Sequence, residues 1–410
     1  MKYKALLIMV LWILSTGTFA DLQSYPVVYQ LKTYYSTSLT IRVEMATQQL
    51  GPFILEKSRK WIGDNRPATQ VFCADDHSLV PYNTPQVCSL IYWNINFFRE
   101  PIAGLGSRSD GDYYLNNGQW LLRESNNFPR IRGNSKAIVC INNNNCRSLS
   151  PNDKLGNYLF IIWGKKPALV ELAGIKFEIF TDRQAEAVDK QELMAKLEPN
   201  IKYLNNVFMS KMGNYIKKPI KIVMLAVNSA AVKDSGGLAG DHAFLVNYYV
   251  KNGQVSLTEE ASFAEVTLHE YIHLLAPCNL FARWACESLA DYYAFKATSL
   301  GKINIKALAV WTKLQHTDSN YKLGLYKIDR LQKQTSQWAY YKLFYAKGAS
   351  FWNELDLLLY RKNDTLDNYL NLLINNSDTY QSYLPQAFVD KMIGLLGEKD
   401  FNTLASYYLE

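Results

Sequence analysis

Residues 261–294 read ASFAEVTLHEYIHLLAPCNLFARWACESLADYYA and carry two histidines four positions apart, His269 and His273. On an α-helix of 3.6 residues per turn, positions i and i+4 lie on one face, so both imidazoles can bind a single ion. Glu270 lies about 100° round the helix from His269, which suits a general base that acts on a water better than a third ligand. The spacing therefore predicts a zinc site on a helix, with a catalytic carboxylate beside it.

Local signals predict helices in both halves of this segment. Ser262 and Glu265 have the S-x-x-E spacing of a capping box, and Pro277 is expected to end the first helix. A second helix is expected to begin near Phe281 and to carry Glu287. The metal-binding residues are therefore expected to come from two consecutive helices.

Glu287 is the predicted third ligand of the ion. Three protein ligands leave a zinc site with an open fourth position for water, whereas a structural site is closed by four ligands. Asp291, one helical turn after Glu287, can accept the second N–H of a liganding histidine and so fix its orientation. The residues alone thus predict one Zn²⁺ per chain, bound for catalysis.

Two blocks of this sequence resemble the gluzincin zinc peptidases. The first is HEYIH, residues 269–273, with ESLAD, residues 287–291, downstream. The second is YAKGA, residues 345–349, which is similar to the Y-x-K-G-A block of the aminopeptidase N-like and glycyl aminopeptidase families. The resemblance covers roughly residues 170–376.

The resemblance implies a thermolysin-like α/β catalytic domain and hydrolysis of peptide bonds, with a peptide or protein as substrate. In the related families, the tyrosine of the second block stabilises the tetrahedral oxyanion. Carried over residue by residue, the resemblance implies His269, His273 and Glu287 as zinc ligands, Glu270 as general base, Asp291 as support and Tyr345 as oxyanion donor.

Residues 236–247 read GGLAGDHAFLVN, which predicts a glycine turn that leads into a short strand. In the related peptidases the corresponding strand lies along the active site and pairs with the substrate backbone. The resemblance thus gives candidate substrate-binding residues: Gly240, Asp241, His242, Ala243 and Phe244. We find no G-x-M-E-N segment, with which aminopeptidase N-like enzymes bind a free amino terminus, so exopeptidase and endopeptidase action both stay open.

The first 20 residues have the pattern of a signal peptide: Lys2 and Lys4, an apolar run, and the small-x-small site Thr18-Phe-Ala20. This pattern predicts an exported protein, periplasmic or secreted. No later segment reaches the ~18 apolar residues of a transmembrane helix, so no stable membrane insertion is expected after cleavage. A net charge of +7 from scattered Lys and Arg gives no indication of a nucleic-acid surface.

Six cysteines in an exported chain favour disulfide bonds. They fall into couples close in sequence, and the simplest connectivity pairs Cys73 with Cys88, Cys140 with Cys146, and Cys278 with Cys286. The last couple flanks the connection between the two predicted metal-binding helices, so its bond would restrain Glu287 relative to His273. The alternative is that these two cysteines bind zinc. It is disfavoured because an exported chain meets oxidising conditions, and because the two histidines and Glu287 already supply three zinc ligands.

Composition divides the rest of the chain into three parts. Residues 21–167 are rich in Tyr, Val, Ile and Thr with frequent Asn, Gly and Pro, which predicts an N-terminal β-rich domain. Residues 168–299 show an α/β pattern and hold the zinc motif, and residues 300–410 show helical spacing and are expected to complete the active site. The expected fold is α+β and multidomain, with a gluzincin α/β catalytic domain between the β domain and a helical C-terminal region.

Three functions stay open from the sequence. The first is an exported zinc peptidase. The second is an exported binding or interaction protein on a gluzincin scaffold with little or no peptidase activity, which the large β domain and the missing amino-terminus segment favour. The third is a relative that hydrolyses esters or epoxides. The sequence gives no prediction of the oligomeric state.

Overall fold

A computed structural model of the protein describes residues 26–33, 39–58, 68–99, 112–115, 118–123, 127–134, 136–141, 145–149, 159–182, 188–212, 216, 218–227, 236–240, 242–250, 254–300, 305–374 and 382–410. The predicted signal peptide and Asp241 lie outside the described residues. The described residues form two compact units. Unit 1 comprises those within 1–59, 66–96 and 125–153, and unit 2 those within 97–124 and 154–410.

The strands, in chain order, are β1 (Val27–Lys32), β2 (Thr40–Ala46), β3 (Phe53–Glu56), β4 (Phe72–Cys73), β5 (Pro85–Gln86), β6 (Leu90–Asn96), β7 (Tyr113–Leu115), β8 (Gln119–Leu122), β9 (Arg130–Ile131), β10 (Ala137–Ile141), β11 (Asn145–Leu149), β12 (Ile161–Trp163), β13 (Ala168–Leu172), β14 (Ile175–Thr181), β15 (Ile220–Val227), β16 (Gly236–Gly240) and β17 (Ala243–Tyr249). The helices are α1 (Lys190–Ala195), α2 (Glu198–Met212), α3 (Leu257–Leu275), α4 (Arg283–Thr298), α5 (Ile305–Thr317), α6 (Leu325–Thr335), α7 (Trp338–Leu343), α8 (Ala349–Tyr360), α9 (Gln386–Leu396) and α10 (Glu398–Tyr408). Shorter 3-10 turns lie between several of them.

Unit 1 is built from strands. A six-stranded sheet has the spatial order β11-β10-β1-β2-β6-β4, and a three-stranded sheet has the order β5-β3-β9. Buried and more exposed side chains alternate along β1 and β2, as expected for a sheet with one face on a core. The disulfides Cys73–Cys88 and Cys140–Cys146 both lie in this unit.

Unit 2 is built on a five-stranded mixed sheet with the spatial order β13-β14-β15-β17-β16. β14, β15 and β17 run parallel, and the two outer strands run antiparallel to their neighbours. Along β15, Ile222 and Met224 join a core with the helices, whereas Val223 and Leu225 join a core with the small sheet β12-β8-β7. β15 and β17 are buried on both faces along most of their length, which accounts for the apolar runs IVMLAV (residues 222–227) and AFLV (residues 243–246).

The observed units divide the chain differently from the predicted domains. β7, β8 and β12 were expected in the N-terminal β domain, but they belong to unit 2, where Tyr113, Leu121 and Ile162 pack against the five-stranded sheet. Residues 300–410 belong to the same unit and share one apolar core with residues 168–299. Composition identifies strands, but the partner against which a strand packs depends on long-range contacts that composition does not encode.

Helices make up most of unit 2 after β17. α3 and α4 pack against each other, and a π-helical turn, Phe344–Gly348, packs against α4. Within residues 300–410, where helical spacing was noted, residues 366–373 form two 3-10 turns, Leu366–Asn368 and Leu370–Leu373, rather than an α-helix. Apolar residues three apart suit both kinds of helix, so spacing does not distinguish them. Among the described residues, no helix is long and apolar enough to cross a bilayer.

Lys296, on α4, is a buried ammonium that joins three elements of unit 2. Its Nζ donates to Asp356 Oδ2 of α8 at 2.7 Å and to Asp367 Oδ1 of the first 3-10 turn at 2.6 Å. Tyr203 on α2 and Tyr293 on α4 also donate to Asp367, at 3.0 and 2.9 Å. Because the ammonium of Lys296 is paired with two carboxylates, it is stabilised although it is buried. This cluster attaches α4, the helix that carries Glu287, to α8 and to the first 3-10 turn.

The buried Lys347 is expected to make the stability of the protein depend on pH. It is 1% exposed, and its Nζ donates to the carbonyls of Tyr321 at 2.9 Å and Leu323 at 2.7 Å. Burial lowers the pKa of Lys347 from 10.5 to about 8. The folded chain thus releases this proton near pH 8, whereas the unfolded chain holds it to about pH 10.5. Between these two pH values the unfolded chain binds one proton more than the folded chain. The free energy of unfolding therefore increases by about 1.4 kcal/mol per pH unit in this range.

The corresponding measurement is urea unfolding of the wild type and of Lys347→Met at pH 8, 9 and 10. The free energy of unfolding of the wild type minus that of the variant should rise with pH, because the variant has no proton to release at this position. A difference that is flat or falls would contradict the lowered pKa.

Candidate metal centre

The predicted metal-binding helix α3 begins earlier than the sequence suggested. Its N-cap is Ser256, whose Oγ accepts a hydrogen bond from the Glu259 N–H at 3.3 Å. The expected cap was wrong, since Ser262 and Glu265 lie inside the helix. The pair Ser256 and Glu259 has the same S-x-x-E spacing, so the motif alone did not decide between two starts. The helix ends at Leu275, just before the proline, as predicted.

His269, His273 and Glu287 converge on one point. The two Nε2 atoms lie 3.0 Å apart, and Glu287 Oε2 lies 3.6 Å from the first and 3.5 Å from the second. Ligand atoms on a tetrahedral zinc are roughly 3.3–3.6 Å apart, which follows from bond lengths of about 2.0–2.2 Å. Both distances to Glu287 lie in this range and the separation of the two imidazole nitrogens lies slightly below it, so a shared cation accounts for two nitrogens that face each other so closely.

The charge state of Glu287 also suits a ligand. Its side chain is 12% exposed, and burial alone would favour the neutral acid. The two neighbouring histidines outweigh that effect and hold the pKa of Glu287 well below its usual range. The carboxylate therefore stays ionised, as a zinc ligand must.

Glu270 lies on the same helix beside β16. Burial raises the pKa of its carboxyl to about 8, and a backbone hydrogen bond from Ala239 acts in the opposite direction. Gly237 lies so close that a Cβ built there would be 2.5 Å from Glu270 Cγ and 2.8 Å from its Oε1. The edge of the sheet thus holds the predicted general base from one side, and only glycine permits this approach.

Tyr345 reaches the centre from the π-helical turn. Its hydroxyl donates to Glu287 Oε2 at 3.2 Å, and its ring lies 5.7 Å from that of His269. Tyr341, which the sequence analysis did not select, donates to Glu287 Oε1 at 2.7 Å. Its spacing of four residues before Tyr345 was a signal, but aromatic residues at helical spacing usually mark a core. Single π-helical turns are often found at functional sites.

Gly348 allows the π-helical turn to approach α4. A Cβ on Gly348 would lie 2.5 Å from the Cβ of Ser288, which follows the third ligand in sequence. The Ser288 hydroxyl accepts a hydrogen bond from Trp352 Nε1 at 2.7 Å. Because Gly348 and Ser288 are small, the π-helical turn lies close to α4, and Tyr341 and Tyr345 come within hydrogen-bond distance of Glu287.

The predicted disulfide connectivity is confirmed for all three couples. Cys278–Cys286 joins the short turn after α3 to the start of α4. Both of its sulfur atoms lie 3.5 Å from His273 Nδ1, the ring nitrogen that does not face the other ligands. The bond therefore restrains the connection between α3 and α4 and also contacts His273, a predicted ligand, directly.

Replacing Cys278 and Cys286 by alanine should weaken both folding and metal binding. The lost cross-link corresponds to about 2.5 kcal/mol of unfolding free energy, and loss of the contact with His273 should raise the zinc dissociation constant roughly tenfold. The matched control is the Cys73 and Cys88 double variant, which should lose a similar stability with unchanged zinc affinity. Equal zinc affinity in both variants would contradict a role of Cys278–Cys286 at the centre.

Asp291 was predicted to support a histidine. In the described part of the chain, its Oδ2 accepts a hydrogen bond from Trp311 Nε1 at 2.8 Å, rather than from an imidazole. Burial raises the pKa of Asp291 to about 8. Its predicted role at the centre stays a prediction.

The described candidate substrate-binding residues lie at the end of β16, at the start of β17 and between these strands. The glycines before them form the edge strand β16 rather than a turn. Ala243 and Phe244, on β17, are fully buried, so their side chains belong to the core. His242 has a φ of 50°, in the left-handed region, between the two strands. The residues of this segment that contact Glu270 are Gly237 and Ala239, which the sequence analysis did not choose.

Fold and centre together define a mixed α+β protein with a three-residue candidate metal centre. No protein-family model matches the chain, and no curated protein matches it. Among solved structures, the chain is similar to the crystal structure of an aminopeptidase N family protein from Idiomarina loihiensis, with a TM-score of 0.57 and 14% identity over 93% of this chain and 76% of that one. The chain therefore has an aminopeptidase-like fold.

Proposed function

We propose that this protein is an exported zinc-dependent peptidase. The observation that carries the proposal is the convergence of His269 Nε2, His273 Nε2 and Glu287 Oε2 within 3.6 Å of one another, next to the buried carboxyl of Glu270. The aminopeptidase-like fold supports a peptide substrate. The three disulfides support export, because such bonds persist in oxidising compartments.

Each chemical task has a residue of this chain. His269, His273 and Glu287 would hold zinc, which would supply Lewis-acid chemistry by polarising the substrate carbonyl and lowering the pKa of a bound water to about 7. Glu270 takes a proton from the attacking water and passes it to the leaving amine. Tyr345 donates its hydroxyl to the oxyanion that develops on the scissile carbonyl oxygen.

The edge strand β16 supports an extended peptide as substrate. Within the described residues it is the last strand of its sheet, so its outer backbone groups can pair with an added strand. It also carries Gly237 and Ala239, which contact the general base. A peptide added to this edge would pass beside Glu270.

The test combines metal analysis with product mapping. Purified protein is expected to hold one zinc per chain and to cleave a mixed peptide library, with activity lost on chelation and restored by added zinc. Loss of single amino-terminal residues would assign an exopeptidase, and internal cuts an endopeptidase. Zinc without any cleavage would favour the alternative function, an exported binding protein. Cleavage of esters but not peptides would favour an enzyme that hydrolyses esters or epoxides. Absence of zinc would contradict the proposal.

A further inference from the structure

The two oxygens of Glu287 have different surroundings. Oε2 faces both imidazoles at 3.5 and 3.6 Å and accepts a longer hydrogen bond from Tyr345 at 3.2 Å, whereas Oε1 accepts a hydrogen bond from the Tyr341 hydroxyl at 2.7 Å. A carboxylate can bind zinc through one oxygen or both. A short hydrogen bond from a partly buried phenol to one oxygen favours binding through the other alone.

Tyr341 is itself held in place. The guanidinium carbon of Arg283 lies 5.2 Å from its ring centroid, and the Trp338 ring packs against it at 5.6 Å. Arg283 stands at the start of α4, the helix that carries Glu287, and Trp338 at the start of α7. The phenol is therefore fixed from two helices, with little freedom to leave the carboxylate.

Tyr341 also contacts the second tyrosine of the centre. The rings of Tyr341 and Tyr345 lie 5.5 Å apart, and the hydroxyl of Tyr345 donates to Glu287 Oε2 at 3.2 Å. A phenol has one proton, and that of Tyr341 is donated to Glu287. The two phenols therefore meet at one carboxylate, one on each oxygen, and the Tyr341 ring packs beside the residue whose hydroxyl is assigned to the oxyanion.

We infer that Tyr341 is a positioning residue of this centre: its hydroxyl fixes Glu287 as a ligand through Oε2 alone, and its ring positions that of Tyr345. The inference rests on the proposed function, because it assigns a task within the same site. Its chemistry is that of a neutral hydrogen-bond donor behind a carboxylate ligand, so loss of the hydroxyl should loosen metal binding as well as catalysis.

The experiment compares Tyr341→Phe with Tyr340→Phe. Both remove one phenol from adjacent, partly buried positions on α7, but only the first removes the bond to Glu287. Zinc affinity of the metal-free protein, measured by competition with a chromogenic chelator, should fall about 10- to 100-fold in Tyr341→Phe and change less than about twofold in Tyr340→Phe. At saturating zinc, kcat of Tyr341→Phe should fall about tenfold or more with KM nearly unchanged.

A double-mutant cycle separates this role from a general loss of structure. In a Glu287→Gln background, Tyr341→Phe should have little further effect on zinc affinity, because it acts through that carboxylate. An equal loss in both backgrounds would overturn the inference, and so would wild-type affinity in Tyr341→Phe. Thermal unfolding of each metal-free variant reports whether the fold is kept.

The two proposals fail in different ways. Wild-type protein that binds zinc but cleaves no peptide would end the peptidase proposal, while the chelator competition would still decide the role of Tyr341. Wild-type protein that binds no zinc would overturn both.

Discussion

Replacing Glu270 by glutamine is expected to lower kcat about 10²- to 10⁴-fold while zinc content stays at one ion per chain. Glutamine has nearly the same shape, so it can keep the position beside Gly237 and Ala239. It cannot take a proton from water, which is the task assigned to this side chain. The measurement is turnover of a peptide substrate at saturating concentration, with zinc determined on the same sample.

The matched control for this variant is Glu260→Gln. Glu260 lies on the same helix and pairs at the surface with Lys196 at 3.0 Å, about 10 residues before the general base. Its loss removes one carboxylate from α3 without reaching the centre, so kcat should not change. Equal turnover by wild type and Glu270→Gln would show that Glu270 is not the general base. Loss of zinc from Glu270→Gln would instead indicate that Glu270 binds the metal.

The convergence of His269, His273 and Glu287 was predictable from sequence because it depends on local geometry. His269 and His273 share a helix face through a fixed spacing, and Glu287 follows after a connection too short to carry the next helix far away. The cysteine couples were predictable for the same reason, since each pair is close in sequence.

The parts of the centre that sequence did not reveal depend on contacts between distant segments. Tyr341 meets Glu287 across 54 positions, and its spacing of four residues before Tyr345 is equally typical of a tyrosine in an ordinary core. Gly237 was interpreted as part of a turn, since glycine pairs usually are. Only the approach of β16 to α3 shows that this glycine makes room for a side chain. The membership of β7, β8 and β12 in unit 2 was hidden in the same way.

Gly237→Ala is therefore the second variant with a large expected effect. The added Cβ would lie 2.5 Å from Glu270 Cγ and 2.8 Å from the Leu245 carbonyl oxygen, so either the general base or the strand pairing must shift. A displacement of about 1 Å at a catalytic group can lower the rate about 10²-fold. Overpacking of this kind also typically lowers the free energy of unfolding by about 1–3 kcal/mol.

Kinetics, zinc content and urea unfolding of the same preparation distinguish these effects. The matched control is Gly394→Ala, at an exposed position of α9 where an added Cβ meets no atom within 4 Å. That variant should keep its kcat and gain about 0.5–1 kcal/mol of unfolding free energy, because glycine is unfavourable inside a helix. If Gly237→Ala keeps the wild-type rate and stability, β16 does not hold Glu270, and the pairing of a peptide with that edge loses its main structural support.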